Sequence, residues 1–296
     1  LEDAVRSILE QTYDSLELIA IDDGSTDHSS EILQFFGKSD SRMRIFRQAN
    51  RGLGATLNRG IGIANGELIA RQDADDRSHV ERLTTQVTFL DAHPDVVLLG
   101  SFARVMDDRG QVLYLKRLPK NDDELRGEIE TTSPFVHGSV IMRKSAVTKV
   151  GGYRDIAWLE DLLLWRALAQ YGKLANVETA LYDYRVSPTN LYVPRRLQSQ
   201  VASMFLRHWP NDALTSDDLE MLEAIRFQIT PHIRRVQYHL NIAKGIMVSS
   251  GDRHQARSHL IRAIQASPLM PELWVHLIFT LLPSKVSKWW RQMRRG

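Results

Sequence analysis

Cysteine is absent from the 296 residues of this chain. Without thiols the protein has no disulfide bond, no thiolate-bound zinc or iron–sulfur cluster and no cysteine nucleophile. Long hydrophobic runs are also missing. The longest candidate, from Leu273 to Leu282, contains His276 and is shorter than the ~18–20 apolar residues of a membrane span. The rest of the composition, with 43% hydrophobic and 25% charged residues, indicates a globular protein rather than a disordered or fibrous one.

Charge of one sign does not dominate the whole chain, but it is unevenly distributed. The formal net charge is +2, whereas residues 1–100 carry a net charge of −7 and residues 201–296 a net charge of +6. An acidic segment can hold a metal ion, and a basic tail favours an anionic surface such as lipid or nucleic acid. A basic face that is merely solvated is the alternative interpretation of the tail.

The first 200 residues alternate between short apolar runs and segments with helical periodicity. Strands are predicted near 16–21, 43–47, 67–72, 96–106, 111–116, 139–142 and 181–185. Helices are predicted to begin near 1, 26, 53, 80, 121 and 159. This βαβα order predicts an α/β fold with a mostly parallel sheet covered by helices.

Strand patterns end beyond Pro194, and the rest of the chain is predicted to be helical, near 195–208, 216–226, 232–249, 252–266 and 271–281. Ala256, Ala263 and Pro268 have the spacing of a tetratricopeptide-like hairpin. A plain helical appendage is the alternative, because stable arrays need about three or more repeats. We therefore predict an α/β domain over residues 1–195 and a helical region over residues 196–296.

Acidic clusters follow the predicted strands or begin a helix. Asp22-Asp23 and Asp73-Ala74-Asp75 come after apolar strands, and Glu160-Asp161 opens a helix. In open α/β sheets, ligands bind at the carboxyl ends of the strands. Two carboxylates spaced as Asp-x-Asp supply the hard oxygen ligands that Mg²⁺ or Mn²⁺ prefers. Solvated loops or charges at a helix start are the alternative interpretation of each cluster alone.

Several short motifs stand in one order along the chain: residues 7–13, Asp22-Asp23-Gly24-Ser25-Thr26-Asp27, Asn50-Arg51-Gly52, Asn65-Gly66-Glu67, Asp73-Ala74-Asp75-Asp76, His93-Pro94-Asp95, His137-Gly138-Ser139, Gly151-Gly152-Tyr153, Glu160-Asp161 and Tyr184-Arg185. Together they resemble glycosyltransferase family 2, whose members have the Rossmann-like GT-A fold. The resemblance covers about residues 1–195 and does not extend to the helical region.

The resemblance implies a role for each acidic cluster. Asp23, with Asp22 beside it, is expected to contact the base of a nucleotide. Asp73 is expected to face the ribose or the metal, and Asp75 to bind the Mn²⁺ or Mg²⁺ that bridges the diphosphate. Arg71 has two open interpretations, since it is equally suited to hold a phosphate and to form a structural salt bridge.

Asp161 is the expected general base, which takes a proton from the acceptor hydroxyl as the hydroxyl oxygen attacks the anomeric carbon. Glu160 is the second candidate for that role. His137 is expected either to line the acceptor site or to be a hydrogen-bonded structural histidine. Trp158 is expected either to stack on a sugar or to fill the core.

The chain departs from the family pattern in two places. Relatives usually start with a central strand ahead of the first helix. This chain starts at the helix and without a methionine, so we expect a fragment that lacks ~10–15 residues. Ser187 stands where many relatives have a histidine that helps to bind the metal or the diphosphate.

The sequence therefore predicts a metal-dependent inverting glycosyltransferase. It would move a sugar from a nucleoside diphosphate sugar to a hydroxyl of a saccharide or lipid-linked acceptor in cell-surface polysaccharide synthesis. The expected donor is a UDP-sugar. We expect a cytoplasmic protein without nucleic-acid partners, held at the inner membrane face by its basic C-terminus with Trp289 and Trp290. The alternatives are a sugar nucleotidyltransferase and a non-catalytic protein-binding module on a degenerate transferase fold.

Overall fold

The computed structural model describes residues 1–130, 132–154, 159–187 and 230–281. They form two compact units. The α/β unit contains the described residues of Leu1–Arg104 and Arg117–Arg185, and the helical unit contains Val105–Lys116, residues 186–187 and residues 230–281. The division predicted near residue 195 stays a prediction, and the structure groups Val105–Lys116 with the helices. The helices predicted at 195–208 and 216–226 and the residue Trp158 lie outside the described residues.

A two-stranded parallel sheet begins the α/β unit. Its strands are β1 (Leu18–Asp22) and β2 (Met43–Arg47), with Leu18 opposite Met43 and Asp22 opposite Arg47. Three helices accompany it, α1 (Glu2–Leu9), α2 (Ser29–Ser39) and α3 (Leu53–Ile63). A small apolar core joins these elements through Val5, Leu33, Phe36 and Met43. The carboxyl end of β1 thereby points Asp22 and Asp23 toward the start of α3.

The larger sheet has the strand order β3-β7-β5-β8-β4. The strands are β3 (Leu68–Ala70), β4 (Arg77–Ser78), β5 (Val96–Met106), β7 (Ile141–Arg143) and β8 (Lys173–Arg185). Strand β6 (Val112–Lys116) belongs to the helical unit. β7 is antiparallel to both β3 and β5, and β4 is antiparallel to β8. β3 and β5 consequently run in the same direction, as their βαβ order predicts, but β7 lies between them. The α/β class is confirmed, and the parallel pairing that we predicted for most of the sheet is seen at β1–β2.

Four helices cover this sheet: α4 (Arg82–Ala92), α5 (Asp122–Glu128), α6 (Lys144–Lys149) and α7 (Glu160–Leu168). Every residue of α7 from Leu162 to Leu168 is buried, and nearly all of β5 is buried as well. The strand predicted at 139–142 begins later than expected, because His137–Ser139 form a 3-10 turn ahead of β7. The strand predicted at 181–185 is only the end of the 13-residue strand β8.

The helical unit contains β6 (Val112–Lys116), α8 (Pro231–Ser249), α9 (Arg253–Ala266) and α10 (Pro271–Leu281), close to the predicted bounds. Asp252 caps α9 by accepting a hydrogen bond from the Gln255 N–H at 3.0 Å. Ala256 and Ala263 are fully buried in the core of this unit. A tetratricopeptide-like origin of the α8–α9 hairpin stays a prediction. No described helix is both long and apolar enough to cross a membrane.

Arg82, at the start of α4, is fully buried and links the elements around the end of β3. Its guanidinium donates to Gln72 Oε1 (3.3 Å), Ser78 Oγ (2.8 Å), Gln86 Oε1 (3.0 Å), Arg71 O (2.9 Å) and Val140 O (3.1 Å). The five N–H donors of an arginine are thus matched by five oxygens, all of them uncharged. The Arg82 guanidinium also lies 5.1 Å from the centre of the Tyr182 ring.

We expect Arg82→Lys to lower the free energy of unfolding by ~2–4 kcal/mol, because lysine keeps the charge but has three donors and leaves buried oxygens unpaired. Urea unfolding followed by circular dichroism measures this loss. Arg6→Lys is the matched control. Arg6 is exposed and lies 4.0 Å from the exposed Glu10, so that substitution should cost less than ~1 kcal/mol. Equal losses of unfolding free energy in the two variants would show that the buried hydrogen bonds of Arg82 do not stabilise the protein more than an exposed ion pair does.

Candidate active site

Asp22 is buried and closes the turn that follows β1. Its Oδ1 accepts a hydrogen bond from the Ser25 N–H at 2.8 Å, and its Oδ2 lies 3.4 Å from Arg47 Nε. The hydrogen bond from Ser25 is the main reason why the pKa of Asp22 is lowered, and the Arg47 charge adds to it. These contacts are those of a structural residue that shapes the loop beside Asp23.

Asp23 holds the loop that leads into α3. Its Oδ1 accepts hydrogen bonds from Gln48 Nε2 at 2.7 Å and from the Arg51 N–H at 2.9 Å, and its Oδ2 accepts one from the Gly52 N–H at 3.0 Å. Desolvation by burial opposes ionisation of Asp23, but these hydrogen bonds outweigh it and lower the pKa. The Thr56 hydroxyl is a fourth donor that lowers this pKa, so the Asp23 carboxylate already carries about as many hydrogen bonds as it can accept.

Arg71 lies at the end of β3 and is 6% exposed. Its Nη1 forms an ion pair with Asp73 Oδ1. Burial disfavours the charged guanidinium, but the Asp73 carboxylate more than compensates and raises the pKa of Arg71. Within the described part of the chain, its Nε has no hydrogen-bond acceptor. Of the two interpretations of Arg71, the salt bridge is therefore present, and a buried N–H donor is left for an anion.

The acidic loop after β3 is held in place by β8. The Asp73 N–H donates to the Tyr182 hydroxyl at 3.1 Å. Arg185 contributes two bonds, from its N–H to Asp76 Oδ1 at 2.6 Å and from its Nε to the Asp75 carbonyl at 2.7 Å. Asp76 is buried, whereas Asp75 is exposed to solvent. Arg185 thus fixes the backbone that presents Asp75.

Crowding of carboxyl groups makes this loop a candidate cation site. Partial desolvation and the charge of Asp73 raise the pKa of Asp75, and the same two causes raise the pKa of Asp76 to about 8. A divalent cation relieves such repulsion. No group of three or more Asp, Glu or His side chains among the described residues is arranged to hold a metal ion. Mg²⁺ and Mn²⁺ nevertheless fit this set, because they bind to one or two carboxylates and take water or phosphate oxygens as other ligands.

Asp161 lies in the first turn of α7, next to Glu160. Its Oδ1 accepts a hydrogen bond from the Leu162 N–H at 2.7 Å. Burial raises the pKa of Asp161, although hydrogen bonds from Leu162 and Ser133 and the charge of Arg71 act in the opposite direction. A carboxylate with a raised pKa is a stronger base than an ordinary aspartate, so the environment of Asp161 suits proton transfer.

A wall of aromatic side chains lies beside Asp161. His137 Nε2 is 2.9 Å from the Tyr153 hydroxyl, and the His137 ring lies 5.7 Å from that of Trp165. Trp165 Nε1 donates to Ser133 Oγ at 3.2 Å. Burial and the charge of Arg71 lower the pKa of His137 far below its ordinary value, so the imidazole is neutral at physiological pH. The hydrogen-bonded histidine that we considered is therefore present in this wall.

Helix α3 joins the Asp23 loop to this wall. Gln48, which binds Asp23, also donates to Thr56 Oγ1 at 2.9 Å. Two residues further along the helix, the amide of Asn58 accepts from the Tyr153 N–H and donates to the Tyr153 carbonyl, both at 2.8 Å.

The charge of Arg71 affects the pKa of Asp75, of His137 and of Asp161. Asp75 and Asp161 are thus both within the electrostatic reach of Arg71, and the Asp23 loop is linked to Tyr153 through α3. The roles assigned to Asp22, Asp23, Asp73, Asp75, Glu160 and Asp161 stay predictions.

Several residues that contact these groups had no predicted role, among them Asp76, Ser133 and Tyr182. Asp76 adjoins the Asp-x-Asp motif, so its position in the sequence was a usable signal. Ser133 and Tyr182 lie 28 and 109 residues from the acids that they serve. No local pattern marks such partners.

The comparisons with known proteins agree with this architecture. The family model described as Glycosyl transferase family 2 matches residues 1–151. The protein EpsE of Bacillus subtilis (strain 168) is 36% identical over 191 residues, which cover 62% of this chain and 68% of EpsE. The UDP-Gal:alpha-D-GlcNAc-diphosphoundecaprenol beta-1,3-galactosyltransferase of Escherichia coli is 29% identical over 190 residues, with coverage of 63% and 69%.

A solved structure supports the fold. S. aureus TarS 1-349 in complex with UDP-GlcNAc aligns with a TM-score of 0.55 over 97% of this chain and 86% of that one, at 17% sequence identity. This likeness confirms the predicted GT-A fold. Because the family model covers half of the residues and EpsE is similar over two thirds of its length, the chain belongs to glycosyl transferase family 2.

Proposed function

We propose that this chain is a metal-dependent inverting glycosyltransferase, which transfers a sugar from a UDP-sugar to a hydroxyl group of a saccharide or lipid-linked acceptor. The observation that carries the proposal is the partly buried Asp161 carboxyl, whose pKa is raised by desolvation and which lies within the electrostatic reach of Arg71. A candidate general base therefore lies near an acidic loop whose side chains suit a metal ion and a diphosphate. Family membership supports the class of reaction.

The donor is bound by groups at the ends of β1 and β3. Asp23 accepts an N–H of the nucleobase in exchange for one of its present donors, and the buried Nε of Arg71 binds a diphosphate oxygen. The Asp23 carboxylate is held by its hydrogen bonds and the Arg71 guanidinium by its ion pair with Asp73, so little ordering is needed when the nucleotide binds. The fold likeness to a protein solved with UDP-GlcNAc supports a UDP-sugar.

Asp75 and Asp73 would hold the cation, Mn²⁺ or Mg²⁺. When bound, the metal supplies a Lewis acid for the negative charge that develops on the leaving diphosphate. Asp73 also keeps Arg71 charged and oriented, while Arg185 fixes the backbone of Asp75. The acidic loop thus positions both a cation ligand and a cationic side chain at the same phosphates.

Asp161 accepts the proton of the acceptor hydroxyl. As the proton leaves, the hydroxyl oxygen forms a bond to the anomeric carbon, and the bond from that carbon to the diphosphate oxygen breaks with its electron pair going to UDP. Attack opposite the leaving group inverts the configuration at this carbon. Glu160 remains the second candidate, and His137 and Tyr153 line the acceptor side as a neutral pair.

A place in surface-polysaccharide synthesis, on the cytoplasmic side of the membrane, is part of this proposal. The E. coli relative is named for a sugar acceptor linked through diphosphate to undecaprenol. An acceptor of that class carries its hydroxyl at a membrane surface. Release of UDP separates this function from sugar nucleotidyl transfer, which releases pyrophosphate, and binding without turnover would indicate the non-catalytic module.

Asp161→Asn should reduce sugar transfer by ~10²–10⁴-fold, the usual contribution of a general base, because the amide cannot accept the proton. UDP-sugar binding, followed by calorimetry, should stay within about twofold of wild type. Glu160→Gln is the matched control and should keep most of the turnover, measured as UDP released. If Glu160→Gln is the inactive variant and Asp161→Asn is active, the assignment of the base is reversed.

The pH profile tests the base in a second way. Because Asp161 must be ionised to act, turnover should rise with pH through its raised pKa and reach a plateau above it. Ser133→Ala removes a hydrogen bond that lowers this pKa, so the rising limb should move to higher pH at an unchanged plateau. A profile that does not move, or that moves to lower pH, would contradict the role of Asp161.

Asp75→Asn should raise the Mn²⁺ concentration needed for half-maximal turnover by at least about tenfold, since a charged ligand is lost. A chelator should abolish transfer by the wild-type protein, and added Mn²⁺ should restore it. Asp91→Asn, an exposed aspartate on α4, is the matched control and should leave the metal requirement unchanged. Full turnover in the presence of chelator would exclude metal dependence.

A further inference from the structure

One side of α10 exposes apolar side chains that the helical unit does not bury. Trp274, Ile278 and Leu281 are spaced at i, i+4 and i+7, which places them on one helix face. They are 46%, 52% and 61% exposed, respectively. Val275 lies beside them, and Leu269, in the turn before the helix, is 93% exposed. We call these five residues the α10 face.

The opposite side of α10 anchors the helix, so the α10 face is not needed for folding. Leu273 is fully buried in the core of the unit. The Arg257 guanidinium donates to both the carbonyl and the hydroxyl oxygen of Thr280. Trp274 Nε1 donates to the Pro268 carbonyl at 2.7 Å, so the polar atom of the indole is satisfied within the protein. What Trp274 offers to a partner is the apolar part of its ring.

The sequence of this part of the chain is mainly basic. Residues 230–296 contain eleven basic and two acidic residues, a net charge of +9. Both acids are engaged: Asp252 caps α9, and Glu272 forms an ion pair with Lys244 at 2.8 Å. The sequence after α10, residues 282–296, adds five of the basic residues together with Trp289 and Trp290. An anionic partner therefore meets attraction throughout this part of the chain.

We propose that the α10 face docks onto an anionic lipid bilayer, with the helix lying in the plane of the headgroups. An exposed apolar stripe on a helix in a basic part of the chain is the pattern of interfacial binding. Eleven residues are too few to span a bilayer, and a net charge of +9 repels a second copy of the unit. This docking goes beyond the proposed function and does not depend on it.

Co-sedimentation of the full chain with vesicles tests the proposal. Vesicles of phosphatidylglycerol and phosphatidylcholine should bind the protein at least about tenfold more strongly than vesicles of phosphatidylcholine alone. Raising the salt from about 0.1 M to 1 M should weaken this binding, because it shortens the Debye length from ~10 to ~3 Å. Equal binding to both kinds of vesicle, or binding to neither, would overturn the proposal.

The double substitution Ile278→Ser and Leu281→Ser should weaken binding to the anionic vesicles by about tenfold, since it removes two apolar anchors. Both side chains are exposed, so circular dichroism should show an unchanged fold. Phe35→Ser is the matched control, because Phe35 is 66% exposed on α2 in the α/β unit, and it should bind like wild type.

Two results would overturn the assignment of the face. In one, the double variant binds like wild type. In the other, the wild-type protein is a dimer that the double variant disrupts, and it does not bind vesicles, which would make the face an interface between copies.

Discussion

The five hydrogen bonds of the buried Arg82 guanidinium hold the candidate site together. Its partners come from the end of β3, from β4, from α4 and from the residue before β7, so a single side chain sets the spacing of these elements. Burial lowers the pKa of Arg82 to about 10, which still leaves it charged at neutral pH. The cost of burying this charge is offset by complete hydrogen bonding and by the nearby carboxylate of Asp73. The acidic loop therefore sits in front of a fixed positive charge.

Buried positive charges behind the acidic loop explain why its carboxyl groups can lie close together before any ligand binds. Arg71 and Arg82 lie behind the loop and are buried, whereas Asp75 lies at the exposed front. The charge of Arg71 lowers the pKa of Asp75 but does not cancel the effects of burial and of Asp73, and the pKa remains raised. The negative charge of the loop is thus not fully compensated on its solvent side. In the proposed function, a cation that also binds phosphate would compensate this charge from the side on which the nucleotide binds.

The sequence predicted the elements whose residues have a single periodicity. Strands 43–47 and 96–106 and helix 271–281 agree with the structure to the residue. The first part of β8 mixes small, polar and apolar residues and was missed, because its burial depends on neighbours distant in the chain. The same limit applies to the site. The acids were found because strand ends mark them, whereas Ser133 and Tyr182 act through long-range contacts that only the fold creates.

Helix α3 makes the two sides of the candidate site mechanically dependent on each other. Thr56 accepts a hydrogen bond from Gln48, which binds the loop of Asp23, and Asn58, two residues further along α3, binds the backbone of Tyr153. The contact is close, since a Cβ atom at Gly152 would overlap Asn58 Oδ1. If Asp23 binds the nucleotide as proposed, a shift of α3 on binding would also move Tyr153, whose hydroxyl contacts His137. Because a helix moves as a rigid body over so short a distance, the proposed donor and acceptor sides would change together.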